Sequence, residues 1–181
     1  MGEKTTIAEL KNIMVKVQVP VQDYTVIQPG LIIGGITTAK NTEVLTKLGV
    51  THIINCAYDP TGKGNFIYVD TNEDYYIQRD FKCVYLGVRA ADTARFNISK
   101  FFYNVADFID NAIKDNGIVY VHCYMAISRS AVLVIAYYMI KHGMTLKEAV
   151  IFLRKKREIF PNDGFLVQLM ELDEVLRNQK S

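Results

Sequence analysis

With 181 residues, 50% hydrophobic and 22% charged, the chain has length for one well-buried core and too little for two ordinary domains. This balance excludes a disordered or membrane-embedded class, and a net charge of +2 excludes a dominant nucleic-acid or membrane footprint, leaving only the local run Arg154, Lys155, Lys156 and Arg157. Three cysteines, Cys56, Cys83 and Cys123, with no C-x-x-C pair, argue against structural zinc or a disulfide framework.

In chain order, Ile7, Leu10, Ile13, Met14 and Val17 recur at helical spacing and predict an amphipathic helix ahead of Pro20. Residues 1–24 thus read as a helix and connector, and residues 25–181 as a single domain. Leu31-Ile32-Ile33, His52-Ile53-Ile54, Phe66-Ile67-Tyr68-Val69 and Cys83-Val84-Tyr85-Leu86 are short β-rich runs that predict strands. Between the first two, Val44, Leu45 and Leu48 form the apolar face of a helix over 41–48, stopped by Gly49. Asn97 is a good N-cap for the run Phe101, Phe102, Val105, Phe108, Ile109 and Ile113, which predicts a helix ended by Gly117. Ile118-Val119-Tyr120-Val121 suits a strand buried on both faces, and a helix from about Arg129 to Lys141 follows it, closed by Gly143. Thr145 and Glu148 form a capping box for the next helix, and Pro161-Asn162-Asp163 opens the last. Early strands, late helices and a buried central strand predict an α/β fold, a central mostly parallel sheet flanked by helices. The first residues carry no secretory signal and no apolar run approaches about 18 residues, so a cytosolic or nuclear protein without a membrane partner is expected.

The segment Val121 to Ser130 carries the chemistry. A strand, a tight loop and a helix N-terminus direct backbone N–H groups toward one point, an arrangement that binds anions. Cys123 stands at the strand end, where those partial positive charges favour a nucleophilic thiolate. Arg129, six positions later, offers a planar fork matched to two phosphoryl oxygens. Ser130 is placed to hydrogen-bond the sulfur and help it depart, and His122 orients the loop rather than acting as a base. A lone cysteine beside an apolar strand is usually a small buried hydrophobe. Cysteine, arginine, serine and histidine at this spacing between strand and helix outweigh that interpretation.

These residues resemble the His-Cys-five residues-Arg-Ser signature of protein tyrosine phosphatases, in particular the small atypical dual-specificity phosphatases of the VHR type. Lys47 to Asn55, Ala91-Asp92-Thr93 with Phe96-Asn97, and Arg157 to Phe165 are similar to further segments of that family, so the resemblance spans roughly residues 25 to 178. It implies a dual-specificity phosphatase-like fold, no metal or other cofactor, and hydrolysis of phosphotyrosine and phosphothreonine or phosphoserine in phosphorylated protein substrates. The family requires a general acid about thirty residues before the cysteine. Of Asp80 and Asp92, the latter, 31 residues upstream in a polar stretch ahead of a helix, matches that position.

Within the phosphate-binding loop, His122, Tyr124, Met125, Ala126, Ile127, Ser128 and Arg129, the family usually carries glycine where this chain has Ala126. A positive φ there would cost alanine on the order of 1 kcal/mol and could draw an N–H out of the cradle, whereas a negative φ would cost nothing. The second reading is therefore a phosphoprotein-binding pseudophosphatase with little turnover, caused by Tyr124-Met125-Ala126-Ile127. The neutral loop disfavours inositol lipids, and the modest charge does not support RNA. Arg157 resembles a family arginine near the pocket and is a candidate substrate contact. Cys56 is a candidate redox partner of Cys123, since the family strand that ends there runs beside the nucleophile's. The N-terminal helix is a candidate homodimer surface.

Overall fold

In a β-strand successive side chains point to opposite faces, and here both faces are apolar. The computed structural model describes residues 5–16, 22–61 and 67–179. Five strands, β1 (Tyr24–Gln28), β2 (Leu31–Gly34), β3 (His52–Asn55), β4 (Val84–Gly87) and β5 (Val119–His122), form one sheet in the order β1-β2-β5-β3-β4. Only β1 runs antiparallel, folding back onto β2, and every other neighbouring pair is parallel. The mostly parallel α/β architecture expected from the sequence is therefore present.

Alternation along the strands divides the core in two. Leu31, Ile33, Ile54, Val119 and Val121 face the larger cluster, which is covered by α1 (Ile7–Lys16), α5 (Phe102–Lys114), α6 (Arg129–His142), α7 (Leu146–Arg154) and α8 (Asp163–Asn178). Ile32, Ile53 and Tyr120 face a smaller one beneath α2 (Ile36–Ala39), α3 (Thr42–Lys47) and α4 (Glu73–Ile77). Every residue of α6 from Arg129 to Met139 is buried, as expected of a helix apolar all round. Gly143 ends α6 at φ 66°, a left-handed C-cap that glycine adopts without steric cost, and Thr145 and Glu148 form the expected capping box of α7. Among the described residues no helix is long and apolar enough to cross a membrane.

Several expectations need correction. Phe66 of the predicted strand 66–69 lies outside the described residues, and residues 67–69 make no ladder. Their backbone is satisfied by loop contacts instead, with Asn55 Nδ2 donating to the Val69 and Thr71 carbonyls and Val69 N–H to the Ala57 carbonyl. Asn97 does not cap a helix. Its Oδ1 accepts from the Ser99 hydroxyl, while Gln168 of α8 accepts from Ile98 and Ser99 N–H, so the chain makes a 3₁₀ turn over Ser99–Phe101 before α5 begins. Leu10 and Met14 bury the apolar face of α1 against α7 and α8 of the same chain, and Arg154 Nε donates to the Met14 carbonyl. The apolar face of α1 carried by Leu10 and Met14 is thus covered within the chain, Val15 of the same helix is exposed, and Val17 lies outside the described residues.

Candidate active site

The ladders that β5 makes with β2 and β3 end together, His122 pairing with Gly34 on one side and Asn55 on the other. Cys123, one residue beyond, leaves the sheet at its carboxyl edge, where open parallel sheets bind ligands. Two backbone bonds clamp the loop that follows: Ile36 N–H donates to the Tyr124 carbonyl and Phe160 N–H to the Ile127 carbonyl, both at 2.9 Å. Inside this curve the Ala126 N–H donates to Cys123 Sγ at 3.2 Å, and Ser130 Oγ lies 3.3 Å from the same sulfur. Ser130 reaches it from the first turn of α6, whose N-terminal dipole also faces the loop.

Arg129 is 4% exposed. Its Nη1 donates to the Ile67 carbonyl at 2.8 Å and to the Ala90 carbonyl at 3.3 Å, fixing the guanidinium. Its Nε stands 3.7 Å from Asp92 Oδ2, within ion-pair range but beyond hydrogen-bond range, and has no hydrogen-bond acceptor among the described residues. A buried donor of this kind is suited to an incoming anionic oxygen.

Asp92 Oδ1 accepts from Ser128 Oγ at 2.8 Å and from Asn162 Nδ2 at 3.0 Å. Ser128 is the N-cap residue of α6 but makes no side-chain cap bond; its hydroxyl is committed to Asp92 instead. Asn162 caps α8 through Oδ1 and holds Asp92 through Nδ2. The loop that carries Asp92 also rests directly on the start of α8, where a Cβ at Gly164 would fall 1.8 Å from the Ala94 carbonyl oxygen. Ile67, Asp92, Cys123, Tyr124, Met125, Ile127, Ser128, Arg129, Phe160 and Asn162 line one cleft of about 620 Å³. Asp80 is not among them; it lies in the turn after α4, at φ 54°.

His122 is fully buried, and that burial, with the Arg129 charge adding to it, pushes its pKa down to about 4. The neutral ring places Nδ1 3.2 Å from the Cys123 carbonyl, an acceptor only, so Nδ1 carries the proton and the ring braces the loop. Cys56 follows β3 and its N–H donates to the His122 carbonyl at 2.7 Å; burial first, then Cys123, push its thiol well above the ordinary cysteine range. Cys56, Cys83 and Cys123 are all free thiols.

Arg157 is not a cleft residue. Only 6% exposed, it donates through Nη1 to the Ile33 carbonyl at 3.1 Å and to Thr25 Oγ1 at 3.2 Å, tying the segment after α7 to the β1–β2 edge. Arg154 is buried as well, so the run from Arg154 to Arg157 is not a continuous basic surface.

The residue standing in for glycine takes the demanding conformation, Ala126 at φ 59°. Its N–H nevertheless points at the sulfur, so alanine costs local strain without leaving the cradle. Replacing it with glycine relieves that strain but removes a fully buried methyl, worth roughly 0.8 kcal/mol, and makes the unfolded chain more flexible. These opposed terms act on stability; because the Ala126 N–H already meets the sulfur, Ala126→Gly is expected to change catalytic turnover by no more than about three-fold. A ten-fold or greater rise in kcat toward an aryl phosphate would instead mean that alanine distorts the cradle.

Residues 31–175 match the family described as dual specificity phosphatase, catalytic domain. The human tyrosine phosphatase-like serine/threonine/tyrosine-interacting protein is 34% identical, with a TM-score of 0.69 over 84% of this chain and 96% of that one. DUSP15 is 28% identical, with a TM-score of 0.65 over 86% and 93%. Human DUSP28, at 24% identity, shares the fold with a TM-score of 0.71 over 88% and 97%.

Proposed function

The chain belongs to the dual-specificity phosphatase family, and from that premise we propose that it hydrolyses phosphotyrosine and phosphothreonine or phosphoserine in proteins through a cysteinyl-phosphate intermediate. One observation carries this reading. The Ala126 N–H and the Ser130 hydroxyl converge on Cys123 Sγ in a cleft that also holds Arg129 and Asp92.

In the first step the Cys123 sulfur attacks phosphorus as the bond to the substrate oxygen breaks. The loop N–H groups and Arg129 bind the equatorial oxygens, where negative charge spreads in the transition state. Asp92 gives its proton to the departing oxygen, which would otherwise leave as a poor alkoxide or phenolate. In the second step Asp92 takes a proton from water as that water attacks the phosphocysteine, and Ser130 stabilises the departing sulfur. The products are inorganic phosphate, the dephosphorylated protein and the starting thiolate. Tyr124, Met125, Ala126 and Ile127 bring no charge to the loop, which favours a single phosphate on a protein side chain over a headgroup bearing several.

The second reading, a phosphoprotein binder with little turnover, draws support from the 34% identical human protein, named as phosphatase-like and as an interacting protein. Against it stands the company Asp92 keeps, since a binder needs neither a nucleophile nor a proton donor held in place by Ser128 and Asn162. Wild-type protein is expected to release inorganic phosphate from both phosphotyrosine and phosphothreonine peptides. Tight peptide binding with no phosphate released would establish the binder instead.

A further inference from the structure

We propose that the groove on the far side of the acid loop is a second anion subsite, which takes an acidic or additionally phosphorylated residue flanking the phosphoresidue of a protein substrate. The proposal rests on the phosphatase reading for its substrate but on different residues for its chemistry.

The acid loop separates two clefts. Thr93 N–H donates to the Ala91 carbonyl at 2.9 Å, making a three-residue turn with Asp92 at its apex. Asp92 lines the Cys123 cleft, whereas its neighbours Ala91 and Thr93 line a second cleft of about 510 Å³ with Tyr68, Arg89, Arg95, Phe96, Lys100 and Phe101. Consecutive Cα atoms are about 3.8 Å apart, so the wall between the two clefts is a single strand of chain. A peptide seated with its phosphoresidue at Cys123 needs only a short flank to cross it.

The charge of the second cleft is one-sided. Arg89 Nε pairs at 3.3 Å with Asp59, whose side chain is 0% exposed. Arg95 and Lys100 have no carboxylate partner among the described residues. Arg89, Arg95 and Lys100 line the groove and, among the described residues, no carboxylate does, so positive potential is concentrated beside the active site.

The groove is also partly preorganised. Phe96 and Phe101 stack with centroids 6.5 Å apart, and the Lys100 ammonium lies 5.1 Å and 5.0 Å from their ring centres. Gln168 holds the backbone that carries Lys100 by accepting from Ile98 and Ser99 N–H. A lysine steadied in this way has less side-chain freedom to lose when it meets an anion than one extended into solvent.

The test compares a monophosphorylated peptide with alanine flanks against peptides in which glutamate or phosphoserine is walked along both flanks. At the positions that reach the groove, an anionic residue is expected to lower KM about five-fold, the equivalent of roughly 1 kcal/mol, with phosphoserine exceeding glutamate and high salt removing the gain. Arg95→Gln with Lys100→Met keeps the apolar stems and should abolish the gain while leaving aryl phosphate kinetics within about two-fold of wild type. Arg89 is left intact because it neutralises buried Asp59. The proposal is overturned if no anionic position on either flank lowers KM, if the gain survives in the double variant, or if the double variant slows the aryl phosphate reaction as much as the peptide reaction. Peptide affinities for Cys123→Ser protein provide the same comparison without turnover, so failure of the phosphatase reading and failure of the subsite are separately visible.

Discussion

Cys123→Ser protein is expected to release phosphate at least about 10⁴-fold more slowly than wild type while still binding phosphopeptides. Serine is close to cysteine in shape, and the groups that contact the sulfur, the Ala126 N–H and the Ser130 hydroxyl, remain to contact its oxygen. The fold and the anion cradle therefore survive. What is expected to disappear is the proposed nucleophile, because a hydroxyl needs a base to activate it and the site offers none in the right place. His122, the adjacent imidazole, is fully buried and directs its Nδ1 proton to the Cys123 carbonyl. Asp92, held by Ser128 and Asn162, stands on the leaving-group side of the proposed reaction. Phosphate release measured alongside fluorescence anisotropy of a labelled phosphopeptide separates the two effects. Equal release by wild type and variant would remove Cys123 from the chemistry.

The parts of the fold legible in the sequence are those whose signal is local. The runs at Leu31, His52 and Ile118 are short, apolar and β-rich, and each lies in the sheet. Gly143 and the Thr145–Glu148 pair mark helix ends because their geometry depends on one or two turns of chain. Strand β1 has no clear local signal because it is an edge strand of mixed burial, with Ile27 buried and Val26 exposed. Helix α4 has five residues, too few for a periodic pattern. The start of α5 is not legible locally, because Gln168, 70 residues from Ile98, accepts from the Ile98 and Ser99 N–H groups and a 3₁₀ turn intervenes.

The same distinction runs through the candidate site. Cys123, Arg129 and Ser130 share one loop-helix junction, so their spacing alone brings them together. Ser128 and Asn162 hold Asp92 across 36 and 70 residues, and no local pattern couples them. Asn162 and Phe160 fall in a family-like segment and Ile67 in a β-rich run, but nothing in those local patterns places the three together on the cleft wall. Arg157, a candidate through its resemblance to a family arginine, has the Ile33 carbonyl and Thr25 Oγ1 as partners, and acceptors on distant strands leave no mark in the sequence around the arginine. Ala126 required a backbone angle that residue type does not determine; at φ 59° the strain is present and the N–H is retained.

Asp92→Asn provides the second large effect, and one that depends on the substrate. Asparagine can keep a carbonyl oxygen where Ser128 and Asn162 donate to Oδ1, so the acid loop should stay in place. It cannot give up a proton at that position. Loss of general acid catalysis is expected to lower kcat by about 10² to 10⁴ for a phosphotyrosine or phosphothreonine peptide, whose leaving oxygen is strongly basic. An aryl phosphate with an acidic phenol needs little proton assistance and should lose far less in the first step. The ratio of variant to wild-type kcat should therefore rise as the leaving phenol becomes more acidic, and pre-steady-state release of that phenol isolates the step from phosphocysteine hydrolysis. A uniform loss across leaving groups would give Asp92 a different role, that of holding Arg129 through the 3.7 Å ion pair. The two roles separate because positioning Arg129 assists every substrate alike, whereas proton donation assists only those that depart as a strong base.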